Sequence, residues 1–104
     1  MSEKSTSSQR GGGFLHEEEL VEPPLYRVIL HNDDVTTMDF VVGLIMRVFH
    51  RPQEEAERLM WQVHEQGSAV CGVYPHELAE SRVAQVHDLA RQAGFPLRCS
   101  MEQQ

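Results

Sequence analysis

Lysine is almost absent from this 104-residue chain, where Lys4 is the only one. A phosphate-binding loop needs lysine after its glycines and a Schiff-base enzyme needs a buried lysine, so both classes fall away. Basic residues as a whole are scarce: nine stand against sixteen acidic ones, for a net charge of −7. Such a chain gains nothing from counter-ion release on a phosphate backbone, and an anionic bilayer repels it. Neither nucleic acid nor membrane is an expected partner. Long apolar runs are missing too. The longest, Phe40 to Met46, falls short of the ~20 residues that span a bilayer. The N-terminus has no charged-then-apolar signal pattern. Cysteine is limited to Cys71 and Cys99, with no Cys-x-x-Cys. Neither a disulfide framework nor a zinc finger is indicated, and both thiols are expected reduced in a cytoplasmic protein. The six histidines show no i, i+4 or His-x-His spacing, so no structural zinc is expected. No Gly-x-Ser-x-Gly elbow and no internal repeat is visible.

What is present divides at Pro23-Pro24. Residues 1–24 hold Ser5-Thr6-Ser7-Ser8, Gly11-Gly12-Gly13 and Glu17-Glu18-Glu19. They carry too little apolar surface to offset the entropy of ordering, and a disordered N-terminal tail is expected. Two readings of that tail stand, a frayed end and a segment with a task. Residues 25–104 form one domain, small enough to be marginal on its own.

Periodicity sets the elements of that domain. Tyr26, Val28 and Leu30 alternate with Arg27 and His31 in a first strand. Asn32-Asp33-Asp34 closes it as a turn cluster. Thr36-Thr37-Met38-Asp39 is a capping-box pattern. Met38, Val41, Val42, Ile45 and Phe49 then mark one helix face, which ends at His50-Arg51. Pro52 suits a first helical position. Ala56, Leu59, Met60 and Val63 mark a second helix, stopped by Gly67. Ala69, Cys71 and Val73 are expected on one face of a second strand that ends at Tyr74-Pro75. Ala79, Val83, Val86 and Ala90 mark a third helix, closed by Gly94, and Leu97, Cys99 and Met101 alternate in a last strand. The order β-α-α-β-α-β implies an α/β (α+β) domain, with a three-stranded sheet and helices mainly on one face.

Chemistry concentrates in two places. His31-Asn32-Asp33-Asp34 groups oxygen acceptors at a strand-to-helix loop. It suits a hard metal ion, acid–base work or an ammonium group, and equally an Asx-turn that satisfies loop amides. His64 sits one turn after Met60, where it is either a core-edge residue or a functional one. Met38 and Met60 are core filling or the lining of an adaptable groove. Trp61 lies one position off the Met60 face and carries no assigned role. Glu77, Glu80, Arg82 and Gln85 form a solvated face of the third helix.

One segment is more specific than its composition. Asn32-Asp33-Asp34-Val35-Thr36-Thr37-Met38-Asp39-Phe40-Val41 resembles the ClpS family, adaptors of the bacterial N-end rule (N-degron) pathway. The resemblance continues through Leu59-Met60, Val63-His64, Gln66-Gly67, Ala69-Val70-Cys71-Gly72-Val73, Ala79-Glu80 and Pro96-Leu97. It spans essentially all of residues 25–104. It implies a three-stranded antiparallel sheet with three helices, similar to the C-terminal domain of the ribosomal stalk protein. It also implies a monomeric adaptor with no catalysis and no cofactor. Such adaptors bind substrates that begin with Leu, Phe, Tyr or Trp. They pass them to the N-domain of an AAA+ unfoldase, ClpA or a ClpC-type relative, for degradation by ClpP. By resemblance, Asn32, Asp33 and His64 grip the substrate's α-amino group and first peptide unit. Asp34, Thr36, Met38, Val41, Met60, Val63 and Leu97 make or border the side-chain pocket, and Glu77 and Arg82 contact the unfoldase. Thr37 stands where the family commonly has proline, and Arg82 where relatives carry lysine. Two alternatives remain at this level. One is a divergent adaptor with a vestigial pocket that inhibits or redirects the unfoldase. The other is a small metal-dependent enzyme using Asp33, Asp34 and His64.

The tail yields a first prediction. Fully extended, 24 residues reach on the order of 80 Å, and ClpS-like adaptors are thought to use the tail for handover. Residues 22–104 should therefore bind an N-degron peptide as tightly as the whole chain but fail to deliver a reporter for degradation. Degradation at the full-length rate by the shortened form would reduce the tail to a frayed end.

Overall fold

The computed structural model describes residues 23–104, so the expected tail lies outside the described residues except for the exposed Pro23 and Pro24. The first strand, β1 (Leu25–His31), is the middle of a three-stranded antiparallel sheet. Its partners are β2 (Ser68–Pro75) and β3 (Arg98–Gln103), in the order β2-β1-β3. Alternation works as the sequence suggests. Val28 and Leu30 are fully buried on the face that carries the helices. On the opposite face Arg27 pairs with Glu102 at 3.4 Å, and the His31 imidazole hydrogen-bonds the Ser100 hydroxyl at 2.7 Å. Three helices complete the fold: α1 (Met38–Phe49), α2 (Gln53–Gln66) and α3 (His76–Ala93).

α1 departs from its sequence reading in two ways. Its N-cap is Thr37, one residue later than a capping box on Thr36 would set it, and the Thr37 hydroxyl accepts from the Phe40 amide at 3.2 Å. Thr36 is engaged elsewhere, by Asp33. The buried arc is also wider than the expected stripe, because α1 packs against both α2 and α3. Leu44 and Val48 join Val41, Ile45 and Phe49 in the core, while Met38 stays 38% exposed. A helix held on two sides needs more than one narrow apolar face. The helix ends at His50, whose φ of 57° is the left-handed conformation that glycine usually supplies.

Pro52 is the N-cap of α2, with extended ψ of 158°, and not its first helical residue. Ala56, Met60 and Val63 are buried and Leu59 packs at the edge of the core. The helix stops at Gly67, where φ is 94° and the amide donates to the Val63 carbonyl at 3.0 Å.

β2 carries the one error of facing. Val28 pairs with Gly72 but Ile29 pairs with Val70, so Cys71 is an extra residue against β1. This β-bulge resets the alternation beyond it. Ala69 and Cys71 face the core as expected, but Val73 turns outward and is 39% exposed, while Gly72 is buried in its stead. Tyr74 then lies over Gly72, so closely that a Cβ there would come within 2.4 Å of the Tyr74 hydroxyl. Burial pushes the Cys71 and Cys99 thiols up to about 12, so both behave as small core residues.

A bulge exposes carbonyls that the ladder no longer uses. Here Arg51 takes the Cys71 carbonyl, from Nε at 3.2 Å and from Nη2 at 3.0 Å, and its Nη1 donates to Glu55 at 3.2 Å. One guanidinium thus ties the start of α2 to the irregular point of the sheet. Lysine cannot reproduce this fork. Arg51→Lys should destabilise the domain by about 1–2 kcal/mol, an amount set by charged hydrogen bonds at a partly wet site. Urea unfolding is the measurement, and an unchanged midpoint would show the clamp to be incidental.

Candidate functional site

β1 leads directly into the loop 32–37, and Asp33 organises that loop. Its Oδ1 accepts from the Val35 amide at 2.8 Å and from the Thr36 amide at 2.7 Å. Its Oδ2 accepts from the Thr36 hydroxyl at 2.7 Å. Partial burial pushes the Asp33 carboxyl upward. The Thr36 amide and hydroxyl, the Val35 amide and the charge of Arg98 outweigh this and hold it below the usual value of 3.8. The Asx-turn and the charged group are therefore the same side chain. Three of its roughly four lone-pair sites are used within the loop.

The loop is joined to α2 by a backbone bond. The Asn32 amide donates to the Gly67 carbonyl at 2.9 Å. That bond sets Asn32 beside the last turn of α2, which carries Val63 and His64. Between the loop, α1 and α2 lies a cavity of about 390 Å³, at the small end of ligand pockets in general. Its deep residues are Val41, Met60 and Val63, all below 8% exposure. Met38 and Val35 stand higher, at 38% and 60% exposure. Asn32, Asp33, Asp34, Thr36, Thr37 and His64 supply the polar lining.

The structure thus gathers nine of the residues singled out from sequence, Asn32, Asp33, Asp34, Thr36, Met38, Val41, Met60, Val63 and His64, around one cavity. Leu97 is not among the lining residues; it is 4% exposed and packs in the core just before β3. Glu77 and Arg82 lie on α3, away from the lining. Arg82 sits 5.5 Å from the centroid of the Tyr74 ring and donates to Gln85 at 3.1 Å. Sequence reasoning misses Val35 and Thr37 as lining. An apolar residue between Asp34 and Thr36 is a signal for the first, since polar turns rarely need one.

Among the described residues no group of three or more His, Cys, Asp or Glu is arranged to hold a metal ion, and no helix is long and apolar enough to cross a membrane.

An apolar cleft with oxygen and nitrogen acceptors along its rim belongs to a ligand-binding module. Comparison with known proteins gives that module its family. The family model described as "ATP-dependent Clp protease adaptor protein ClpS" matches residues 21–100. The ATP-dependent Clp protease adapter protein ClpS of Oleidesulfovibrio alaskensis is 52% identical over 103 residues, 99% of each chain. That of Syntrophus aciditrophicus is 54% identical over 87 residues, covering 84% of this chain and 81% of its own. A solved structure of Agrobacterium tumefaciens ClpS2 bound to L-phenylalaninamide is similar at a TM-score of 0.77 and 37% identity, over 80% of this chain and 100% of that one. The chain belongs to the ClpS family. It is an adaptor of the ATP-dependent Clp protease and not an enzyme.

The double duty of Asp33 is testable. A carboxyl whose pKa is lowered by folding adds stability that is complete above its unfolded value and lost as pH falls through the folded one. Asp33→Asn retains an acceptor for the loop amides but no charge. Unfolding curves of the two proteins should differ at pH 7, and the difference should shrink as pH falls through the lowered pKa of the Asp33 carboxyl. A difference that persists unchanged into acid would mean the charge contributes nothing.

Proposed function

We propose that the cavity receives the first residue of a protein whose N-terminus is Leu, Phe, Tyr or Trp, and that the adaptor delivers such proteins to the Clp machinery. One observation carries this reading: a buried apolar floor of Val41, Met60 and Val63 lies beneath a rim holding Asn32, Asp33 and His64. A protein's first residue has those two faces, a side chain and a free ammonium. An ammonium has donors only, and the amide oxygen of Asn32, the carboxylate of Asp33 and the imidazole of His64 are acceptors for it. Asp33 keeps one lone-pair site and its full negative charge after organising the loop. The likeness to a ClpS2 bound to L-phenylalaninamide also supports the reading, since that ligand carries an apolar ring beside a free amine.

Met38, at the mouth, would obstruct β-branched side chains, which cannot move their second γ-carbon aside. Asp34 and Thr36 border the mouth, and Leu97 backs the core beneath. Glu77 and Arg82 on α3 are left for the N-domain of an AAA+ unfoldase of the ClpA or ClpC type, acting with ClpP. Burying one large apolar side chain is worth ~1.5–3 kcal/mol. Each hydrogen bond to the ammonium adds roughly 1.5–3 kcal/mol. Less the cost of association, several of these reach about −8 kcal/mol, a micromolar complex.

A fluorescence titration with a labelled peptide that begins with Phe is the direct test, run beside the same peptide beginning with Ser and the N-acetylated form. Binding by the free Phe peptide alone is expected. Acetylation should cost at least tenfold, because it removes the charge and leaves acceptors unpaired. Equal binding of the acetylated peptide removes Asn32, Asp33 and His64 from this role. No binding of any of the three leaves a vestigial pocket.

A further inference from the structure

Trp61 is the only tryptophan of the chain. It lies on α2 with 47% of its surface exposed, belongs neither to the core nor to the cavity lining, and follows Met60, which belongs to both. Its aromatic neighbour is His64. The two ring centroids are 5.8 Å apart and the planes stand at 75°, an edge-to-face arrangement. A separation of three positions sets the two side chains on one side of the helix.

The other imidazoles near the sheet make a useful contrast. His31 is fixed by the Ser100 hydroxyl at 2.7 Å, and His87 accepts the Cys99 amide at 3.2 Å. His64 is exposed and, among the described residues, no hydrogen bond holds its ring. An exposed imidazole on a helix samples several rotamers unless a neighbour restricts it. The indole is that neighbour. Edge-to-face aromatic pairs are favourable beyond the area they bury.

We propose that Trp61 is a positioning residue: its indole restrains the His64 imidazole in the rotamer that lines the cavity. The claim rests on the reading of His64 as part of the recognition rim. Trp61 acts by limiting the orientations His64 must give up when a ligand arrives. Side chains ordered only on binding weaken it, and prior ordering removes that cost. The effect passes through His64 to the ligand's amine and first peptide unit. It is therefore the same whatever residue follows the first.

The test compares the full chain with Trp61→Ala and Trp61→Phe. Both changes are at a half-exposed site, and circular dichroism checks that the fold is kept. In the free protein, the His64 ring-proton resonances should shift in Trp61→Ala, because they lose the indole ring current. Phenylalanine should restore part of that shift. Peptides that begin with Phe and vary at the second residue, Gly, Leu or Trp, should each bind Trp61→Ala about threefold to tenfold more weakly. Trp61→Phe should recover most of the loss. Unmoved His64 resonances overturn the proposal, and so does unchanged affinity. A loss that grows with the size of the second residue overturns it differently, making Trp61 a direct ligand contact. If the unaltered protein binds none of these peptides, the reading of the cavity itself has failed. That outcome is seen before any substitution is made.

Discussion

At Gly67 three requirements meet in one residue. The chain must leave α2, enter β2 one residue later, and offer a carbonyl to the loop that follows β1. A φ of 94° ends the helix in a conformation that side-chain-bearing residues rarely adopt. The Gly67 amide closes the last turn on Val63, and the carbonyl accepts from Asn32 at 2.9 Å. Val63 and His64 belong to one side of the cavity and Asn32 to the other. A side chain at Gly67 would meet no steric obstacle, since nothing lies within 4 Å of a Cβ there. The constraint is wholly one of backbone conformation. Loss of the left-handed turn would move the rim residues relative to one another before it disturbed the core.

The loop between those fixed points is organised from within. Asp33 gathers the amides of Val35 and Thr36 and the hydroxyl of Thr36, and Thr37 then caps α1. A proline at position 37 would pre-set the backbone at the helix start. Threonine reaches a similar end by accepting the Phe40 amide, an orphan donor of the first helical turn. The polar residues of the loop thus serve local structure first. What the loop leaves unused is the Asp33 charge and its remaining acceptor site.

Much of this was legible in the sequence because it depends on short-range rules. Strand alternation marked Val28 and Leu30, helix spacing marked Met60 and Val63, and Gly67 and Gly94 marked helix ends. The resemblance at Asn32-Asp33-Asp34 then brought together residues that periodicity treats separately. The features missed depend on pairing between distant segments. The bulge at Cys71 arises from register against β1, so nothing within Ala69-Val70-Cys71-Gly72-Val73 announces that Val73 will face out. Leu44 and Val48 are buried because α1 is covered by two neighbours, and one face of a helix wheel cannot reveal that. The grip of Arg51 on the Cys71 carbonyl spans twenty residues. Read locally, Arg51 is only the end of a helix.

Together, that grip and the Gly67 turn determine which parts of the cavity are stiff. Arg51 fastens the start of α2 to β2, through the Cys71 carbonyl and Glu55. Asn32 fastens its end to the chain leaving β1. A fourteen-residue helix held to the same sheet at both ends cannot tilt without breaking one attachment. The floor residues Met60 and Val63, packed at 7% and 3% exposure, are therefore fixed in depth. Met38, Val35 and His64 are exposed and rise from this fixed base. Substitutions at the floor would change the core and the cavity together, whereas the exposed side chains of Met38 and Val35 can change without repacking the core. The shape of the cavity mouth is thus separable from stability at Met38 and Val35, and inseparable from it at Met60 and Val63.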